Sequence, residues 1–261
     1  MPYANNNGVK IHYEVQGKGP PLIMGHGVTR SLERWRQIGF VEALKDDYSL
    51  IIFDARGHGK SDKPHSPEAY GNNMVEDVIR VLDHADVGRA NYFGYSMGAG
   101  IGFKEAVTHP DRFSSFILGG WSPYRPHPPA ANPPSGTSSQ AVNALRSDPK
   151  AFLRVREQEL GRPMTVEEKQ AELSQDPEAL GALMVNFREV AKLNNEELAG
   201  ISVPCLLYAG DVDPFYTGAK EASNHINDAN FFALPGLNHV QASASPLVLP
   251  HVKEFLERVV G

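Results

Sequence analysis

A serine hydroxyl is a poor nucleophile unless a base and an orienting acid stand beside it. Three stretches of this chain carry those residue types. Gly94-Tyr95-Ser96-Met97-Gly98 has the Gly-x-Ser-x-Gly spacing of a nucleophile elbow. It follows the apolar run Asn91 to Gly94 and precedes a helical pattern that runs towards Thr108 and stops at His109-Pro110. The glycines have a physical reason: a tight strand-to-helix turn leaves no room for Cβ atoms. Ala99, Gly100 and Gly102 extend the smallness and let the helix approach the sheet. The helix N-terminus then faces the serine oxygen, where negative charge develops during attack. Downstream, Gly210-Asp211-Val212-Asp213 and Gly236-Leu237-Asn238-His239 follow the apolar runs Cys205 to Ala209 and Phe231 to Leu234. Open α/β sheets gather their ligands at the carboxyl ends of strands. The order Ser96, aspartate, His239 is the one in which the elbow is used. The expected chemistry is nucleophilic attack by Ser96 on an acyl carbon, with His239 as base and Asp211 or Asp213 as orienting acid. His84, His109, His225 and His251 sit on or beside helical patterns and have no such placement.

These residues need a frame that brings them to one rim. Short apolar runs at Pro21 to Gly25, Leu50 to Phe53, Asn91 to Gly94, Ser115 to Leu118, Cys205 to Ala209 and Phe231 to Leu234 read as buried strands. Lys10 to Val15 alternates and reads as an edge strand. Between them lie helical patterns. Val75, Val78, Ile79, Leu82 and Ala85 fall on one helical face, and so do Val248, Val252, Phe255, Leu256 and Val259, with Pro250 in the first turn. Strands alternating with helices predict a mainly parallel sheet covered on both faces. The pattern breaks from about Ser122 to Gly200. Six of 20 prolines fall between Pro123 and Pro134, which makes that stretch an extended or irregular connection. After it come helical patterns only, the clearest stripe being Leu180, Leu183, Met184, Phe187, Val190 and Leu193. An all-helical insertion in an α/β frame reads as a lid over one edge of the sheet.

Composition narrows the field. The 261 residues suit one core of roughly 180 residues with an insertion. With 31 acidic and 25 basic residues the net charge is −6, and no Lys/Arg cluster argues for nucleic acid. The single cysteine, Cys205, makes no internal disulfide, so a reducing, cytoplasmic compartment is expected. The first residues show no signal-peptide pattern, and no apolar run approaches the ~20 residues of a membrane span. Gly59-Lys60-Ser61 looks like the tail of a phosphate-binding loop, but Asp54 stands where that motif needs glycine. Gly57-x-Gly59-x-x-Asp62 lacks the last glycine of a dinucleotide fingerprint, and no His-Glu-x-x-His or Cys/His cluster suggests a metal.

Four motifs taken together, namely His26-Gly27, Asp54-Ala55-Arg56-Gly57-His58-Gly59-Lys60-Ser61, Gly94-Tyr95-Ser96-Met97-Gly98, and Gly210-Asp211-Val212-Asp213 with His239, resemble those of the α/β-hydrolase superfamily. The resemblance spans roughly residues 8–120 and 200–261. It implies the α/β-hydrolase fold: a mostly parallel sheet flanked by helices, with residues 1–121 and 200–261 as core and 122–199 as helical cap. In the family the acid stands three residues after a glycine. That selects Asp213 and leaves Asp211 to brace its loop. The resemblance further implies an oxyanion hole from the backbone N–H groups of Val28 and Met97, with His26 as a structural brace. It points to the serine-nucleophile esterase, lactonase and haloperoxidase-like branch, without cofactor or metal. Related dehalogenases and epoxide hydrolases carry aspartate at the elbow, and a serine cannot form their alkyl-carboxylate intermediate. A cofactor-free haloperoxidase or perhydrolase, a C–C hydrolase, a hydroxynitrile lyase and a slow-hydrolase ligand receptor share the serine machinery. Trp35, Tyr95, Trp121, Tyr124 and Phe215 lie near site elements in sequence and are expected to line an apolar pocket; Trp35, Trp121, Tyr124 and Phe215 are the substrate-binding candidates. With no Arg or Glu cluster in view, a small to medium neutral ester or lactone is the expected small-molecule substrate.

Overall fold

The computed structural model describes residues 2–124, 138–190 and 192–260. The chain runs β1 (Tyr3–Asn6), β2 (Val9–Gln16), β3 (Pro21–Gly25), α1 (Glu33–Gln37), α2 (Phe40–Leu44), β4 (Ser49–Phe53), α3 (Asn72–His84), β5 (Ala90–Tyr95), α4 (Met97–Thr108) and β6 (Phe113–Gly119). After the helices α5 (Ser138–Ser147), α6 (Pro149–Leu160), α7 (Val166–Leu173), α8 (Pro177–Val190) and α9 (Asn195–Ala199), it returns to the sheet. There follow β7 (Cys205–Gly210), α10 (Tyr216–Ser223), β8 (Ala229–Leu234), α11 (His239–Ala242) and α12 (Val248–Val260). The eight strands form one sheet in the order β1-β2-β4-β3-β5-β6-β7-β8. β1 and β2 are antiparallel to their neighbours, and β3 to β8 are all parallel. This is the α/β-hydrolase fold.

Period-two alternation on the central strands feeds two cores. Ile23, Ile51, Tyr92, Phe116, Leu118 and Leu207 face one side, where Met74 and Val78 of α3 and Ile101 and Phe103 of α4 cover them. Leu22, Met24, Leu50, Ile52, Phe93, Ile117, Leu206 and Tyr208 face the other, against Trp35, Phe40, Val41 and Leu44 of α1 and α2 and Val252, Phe255 and Leu256 of α12. Both faces of β3 to β6 are therefore apolar, which is why those strands read as continuous runs rather than as alternations.

The margins of the sheet differ from the sequence expectation. Lys10 to Val15 is not an edge: β1 pairs outside it, Tyr3 opposite His12 and Asn6 opposite Val9. Tyr3–Asn6 carries two asparagines and little apolar signal, so its strand character comes from pairing rather than propensity. At the other margin β8 is the edge strand, with only Leu234 fully buried, so Phe231 to Leu234 is not an interior strand. Among its described residues the insertion between β6 and β7 has helices as its only regular elements. Asp148 caps α6 by accepting from Ala151 N–H at 2.9 Å, and Thr165 and Glu168 form a capping box on α7. Leu183 and Phe187 of α8 join the core beneath, whereas Leu180 packs with Val142, Leu145 and Phe152 in a smaller cluster inside the insertion. Residues 125–137, most of the proline-rich stretch Pro123 to Pro134, lie outside the described residues, as does the Val190 side chain.

Candidate active site

β5 ends at Tyr95, and α4 begins at Met97, so Ser96 alone makes the turn. It takes φ 55° and ψ −115°, a conformation that costs a non-glycine residue about 1–3 kcal/mol and persists only where neighbours enforce it. They do. Ser96 N–H donates to the Gly119 carbonyl at 2.8 Å, Gly98 N–H to the His26 carbonyl at 3.1 Å, and Gly100 N–H to the Ser96 carbonyl at 2.9 Å. The glycines of the motif are steric necessities. A Cβ on Gly94 would lie 2.4 Å from the Gly98 carbonyl, and one on Gly98 would lie 2.0 Å from the Gly25 carbonyl oxygen. Ser96 itself is only half-buried, open to a reactant.

The acid comes from the turn after β7. Asp213 is buried, and both its oxygens are engaged. Oδ1 accepts the Phe215 N–H at 2.9 Å, and Oδ2 lies 2.7 Å from His239 Nδ1. Asp211, its rival in sequence, is exposed and accepts the Gly236 N–H at 2.7 Å, tying the β7 turn to the β8 turn. His239 opens the four-residue helix α11. Asn238 caps that helix, accepting from Val240 and Gln241 N–H at 3.0 and 2.9 Å, while Gln241 Oε1 accepts the Asn238 N–H at 3.1 Å. The Asn238 amide also donates to the Glu159 carbonyl at the end of α6, at 3.2 Å. His239 Nε2 lies 2.9 Å from Ser96 Oγ. A carboxylate only accepts, so the proton of the neutral ring sits on Nδ1 and the Nε2 lone pair meets the serine hydroxyl. The structure thus brings Ser96, Asp213 and His239 into one hydrogen-bonded line.

The loop after β3 closes the other side. Gly27 lies so near Ser96 that an added Cβ would meet Ser96 Cβ at 3.3 Å. His26 is buried, and burial lowers its pKa, which keeps it neutral. Its Nδ1–H donates to the Gly27 carbonyl at 2.8 Å, and its Nε2 accepts the Ala55 N–H at 3.0 Å. It therefore pins this loop to the one after β4. Asp54 braces the same region, accepting from Leu32 N–H at 2.8 Å and Lys60 N–H at 2.9 Å, with His12 Nδ1 at 2.9 Å.

Of the aromatic candidates, two reach the site. The Phe215 ring packs 5.4 Å from the His239 ring, and Trp121 stacks on Phe215 at 5.1 Å and 27°. Phe187 of α8 completes that wall, 5.4 Å from Trp121. Trp35 does not belong to it. Its ring is buried against Phe40 and Phe93 on the α12 side of the sheet, because the one large apolar residue of short α1 is the anchor that holds the helix down. Tyr124 bonds outward, its hydroxyl 2.7 Å from Asn195 Oδ1, beside a surface cleft lined by Leu193, Glu197 and Glu221. Tyr95 is buried behind His239 rather than lining a pocket. The insertion also supplies what no local pattern shows, a charge cluster around buried Arg156 and Glu172. Glu172 is paired with Arg30 and Arg156, and Arg156 with Glu159. Two arginines and two glutamates balance, spread over 142 residues of sequence. The capping role of Asn238 does have a local signal, the Asn-x-x-Gln spacing to Gln241. Among the described residues no three His, Cys, Asp or Glu side chains could hold a metal ion, and no helix is long and apolar enough to cross a membrane.

Fold and geometry together define a class: an α/β sheet whose carboxyl edge carries a hydrogen-bonded serine, imidazole and carboxylate. The profile of the α/β hydrolase fold family matches residues 20–218, and the chain belongs to that family. A protein of Azorhizobium caulinodans, provisionally named carbamate hydrolase RutD, is 30% identical over 94% of both chains. The enol-lactonase from Burkholderia xenovorans LB400 superposes with a TM-score of 0.78 over 98% of this chain and 100% of its own, at 23% identity. The bromoperoxidase from Bacillus anthracis gives 0.80 over 98% and 99%, at 22% identity; these two likenesses establish the shared fold.

Proposed function

We propose that the protein is a serine hydrolase that cleaves a small to medium neutral carboxylic ester or lactone through an acyl-enzyme. The observation that carries this reading is the 2.9 Å contact of His239 Nε2 with Ser96 Oγ, with Nδ1 held 2.7 Å from buried Asp213. His239 takes the Ser96 proton as Oγ attacks the acyl carbon. Asp213 holds the tautomer and stabilises the imidazolium that results. The N–H groups of Val28 and Met97 receive the oxyanion, each worth ~3–4 kcal/mol to the transition state. In support, neither N–H is engaged by another acceptor among the described residues. His239 then protonates the leaving oxygen, and water attacks the acyl-enzyme by the same route. Residues 122–199 act as a cap, whose Phe187, with Trp121 and Phe215, forms the apolar wall for the acyl group. Arg30 and Arg156 are already paired with Glu172 and Glu159, so neither is left to recruit an anionic substrate, which favours a neutral one.

The test is to label the protein with a fluorophosphonate, locate the adduct, and assay a panel of esters, lactones and carbamates. A carbamate belongs in the panel because of the relative that is similar over nearly the whole chain, and because its carbonyl accepts the same attack. The expected result is labelling at Ser96, with turnover reduced by several orders of magnitude in Ser96→Ala. Unchanged ester turnover in Ser96→Ala overturns the reading. A peroxide-dependent reaction faster than hydrolysis moves the assignment to a perhydrolase.

A further inference from the structure

Asp213 sets the rotation and tautomer of the His239 ring, but it does not set where the His239 main chain stands. That main chain starts a helix of four residues, too short to hold itself in place. Something anchored in the sheet has to locate it. The last residue of β5 does so. Tyr95 is buried, and its hydroxyl donates to the His239 carbonyl at 2.5 Å. Its ring lies 5.3 Å from the His239 ring at 36°, and 5.9 Å from Tyr208 on the next strand but one. Gly120, at φ 61°, leaves the space it fills: a Cβ there would stand 2.7 Å from Tyr95 Cζ and Oη. Burial and the nearby Asp213 charge raise the phenol well above its ordinary pKa, so it remains a donor.

We infer that Tyr95 is a positioning residue for the base: it ties the His239 main chain to the residue that precedes Ser96 and so sets the nucleophile-to-base distance from the rigid sheet. This rests on the serine-hydrolase reading above. The physical logic is one of path length. Without the bond, the His239 main chain is located through the turn after β8 and a single helical turn, which the Asp211–Gly236 and Asn238–Glu159 hydrogen bonds tie to the β7 turn and to α6 rather than to β5. With it, the route from β5 is one side chain long. Phenylalanine fills the same space and lacks only the hydroxyl, so Tyr95→Phe isolates the bond. Tyr70→Phe is the matched control, because that buried hydroxyl donates to the Pro64 carbonyl at 2.6 Å, away from the site.

The experiment compares the full chain with both variants in ester turnover, the rate of fluorophosphonate labelling, and the downfield proton resonance of the His239 Nδ1–H. For Tyr95→Phe the expected result is a tenfold or greater loss in kcat with KM within twofold, an equal loss in labelling rate, and broadening of the downfield resonance. For Tyr70→Phe, a comparable drop in melting temperature with all three readouts unchanged is expected. Parental kcat, labelling and a sharp resonance in Tyr95→Phe overturn the inference, as does an equal loss of activity in Tyr70→Phe. If the parent protein neither labels nor turns over any substrate, the hydrolase reading fails. The resonance still decides then whether Tyr95 holds His239 in place.

Discussion

Gly98→Ala is the most direct perturbation of the geometry on which the site depends. The new Cβ would stand 2.0 Å from the Gly25 carbonyl oxygen, where real Cβ contacts essentially never fall below 3.0 Å. The obstacle is backbone and cannot rotate away, so α4 must retreat from β3 by about 1 Å. Two hydrogen bonds stretch with it: Gly98 N–H to the His26 carbonyl at 3.1 Å, and the Tyr92 hydroxyl to the Gly98 carbonyl at 2.7 Å. At ~0.5–1.5 kcal/mol each, with ~1–3 kcal/mol for overpacking, the loss is about 2–6 kcal/mol. The better helix propensity of alanine returns only ~1 kcal/mol and does not reverse the sign. The net loss of about 1–5 kcal/mol should lower the melting temperature by roughly 2–20 °C. Activity should fall further than stability suggests. Ser96 moves with the turn, its 2.9 Å contact with His239 opens by a comparable amount, and a misplacement of ~1 Å costs ~10²-fold in rate. The assay is kcat/KM on an activated ester below the melting transition, with calorimetry alongside. Gly88→Ala serves as control, since a Cβ there meets nothing within 4 Å. If Gly98→Ala kept parental kcat/KM and melting temperature, close approach of helix and strand would not be what positions Ser96.

Two further outcomes follow from the structure. Asp213→Asn keeps the shape but replaces an acceptor by an amide that can donate to Nδ1 and invert the tautomer. The expected loss is ~10³–10⁴ in kcat with little change in KM, and stopped-flow or steady-state ester kinetics will read it. Away from the site, burial pushes the Glu105 carboxyl up to about 7, with His109 Nδ1 at 2.8 Å from one of its oxygens. The folded protein therefore retains a proton that the unfolded chain releases above about pH 4.5. His109, its own pKa raised by that hydrogen bond, acts in the same direction. Stability should decline as pH rises, by about 2 kcal/mol between pH 5 and 7. Chemical denaturation across that range should show the slope in the parent and a flatter one in Glu105→Gln; a stability that rises with pH over the same window refutes the assignment.

What could be read without coordinates was local. The elbow, the glycines around it, the helix ended at His109-Pro110 and the apolar runs of β3 to β7 are patterns of neighbours two to four residues apart. Such patterns are constrained by backbone sterics and by the strand and helix periods, so they survive translation into structure almost unchanged. The family resemblance, in which the acid stands three residues after a glycine, implies Asp213 rather than Asp211; in the fold Asp213 is buried and Asp211 exposed. What required the fold was everything set by partners far along the chain. Whether a short strand such as Tyr3–Asn6 forms depends on the strand offered to it, not on its own residues. Nearness in sequence to the site placed Trp35, Tyr95 and Tyr124 at a pocket, yet which side of the sheet a side chain takes is decided by the layer packed there. So Trp35 anchors α1 and Tyr95 holds the carbonyl of a residue 144 positions away. The pairing of Arg30 with Glu172 is likewise invisible to any window, because charge recognition across 142 residues leaves no periodic trace. Short-range sterics write themselves into residue order; long-range packing does so only through the folded chain.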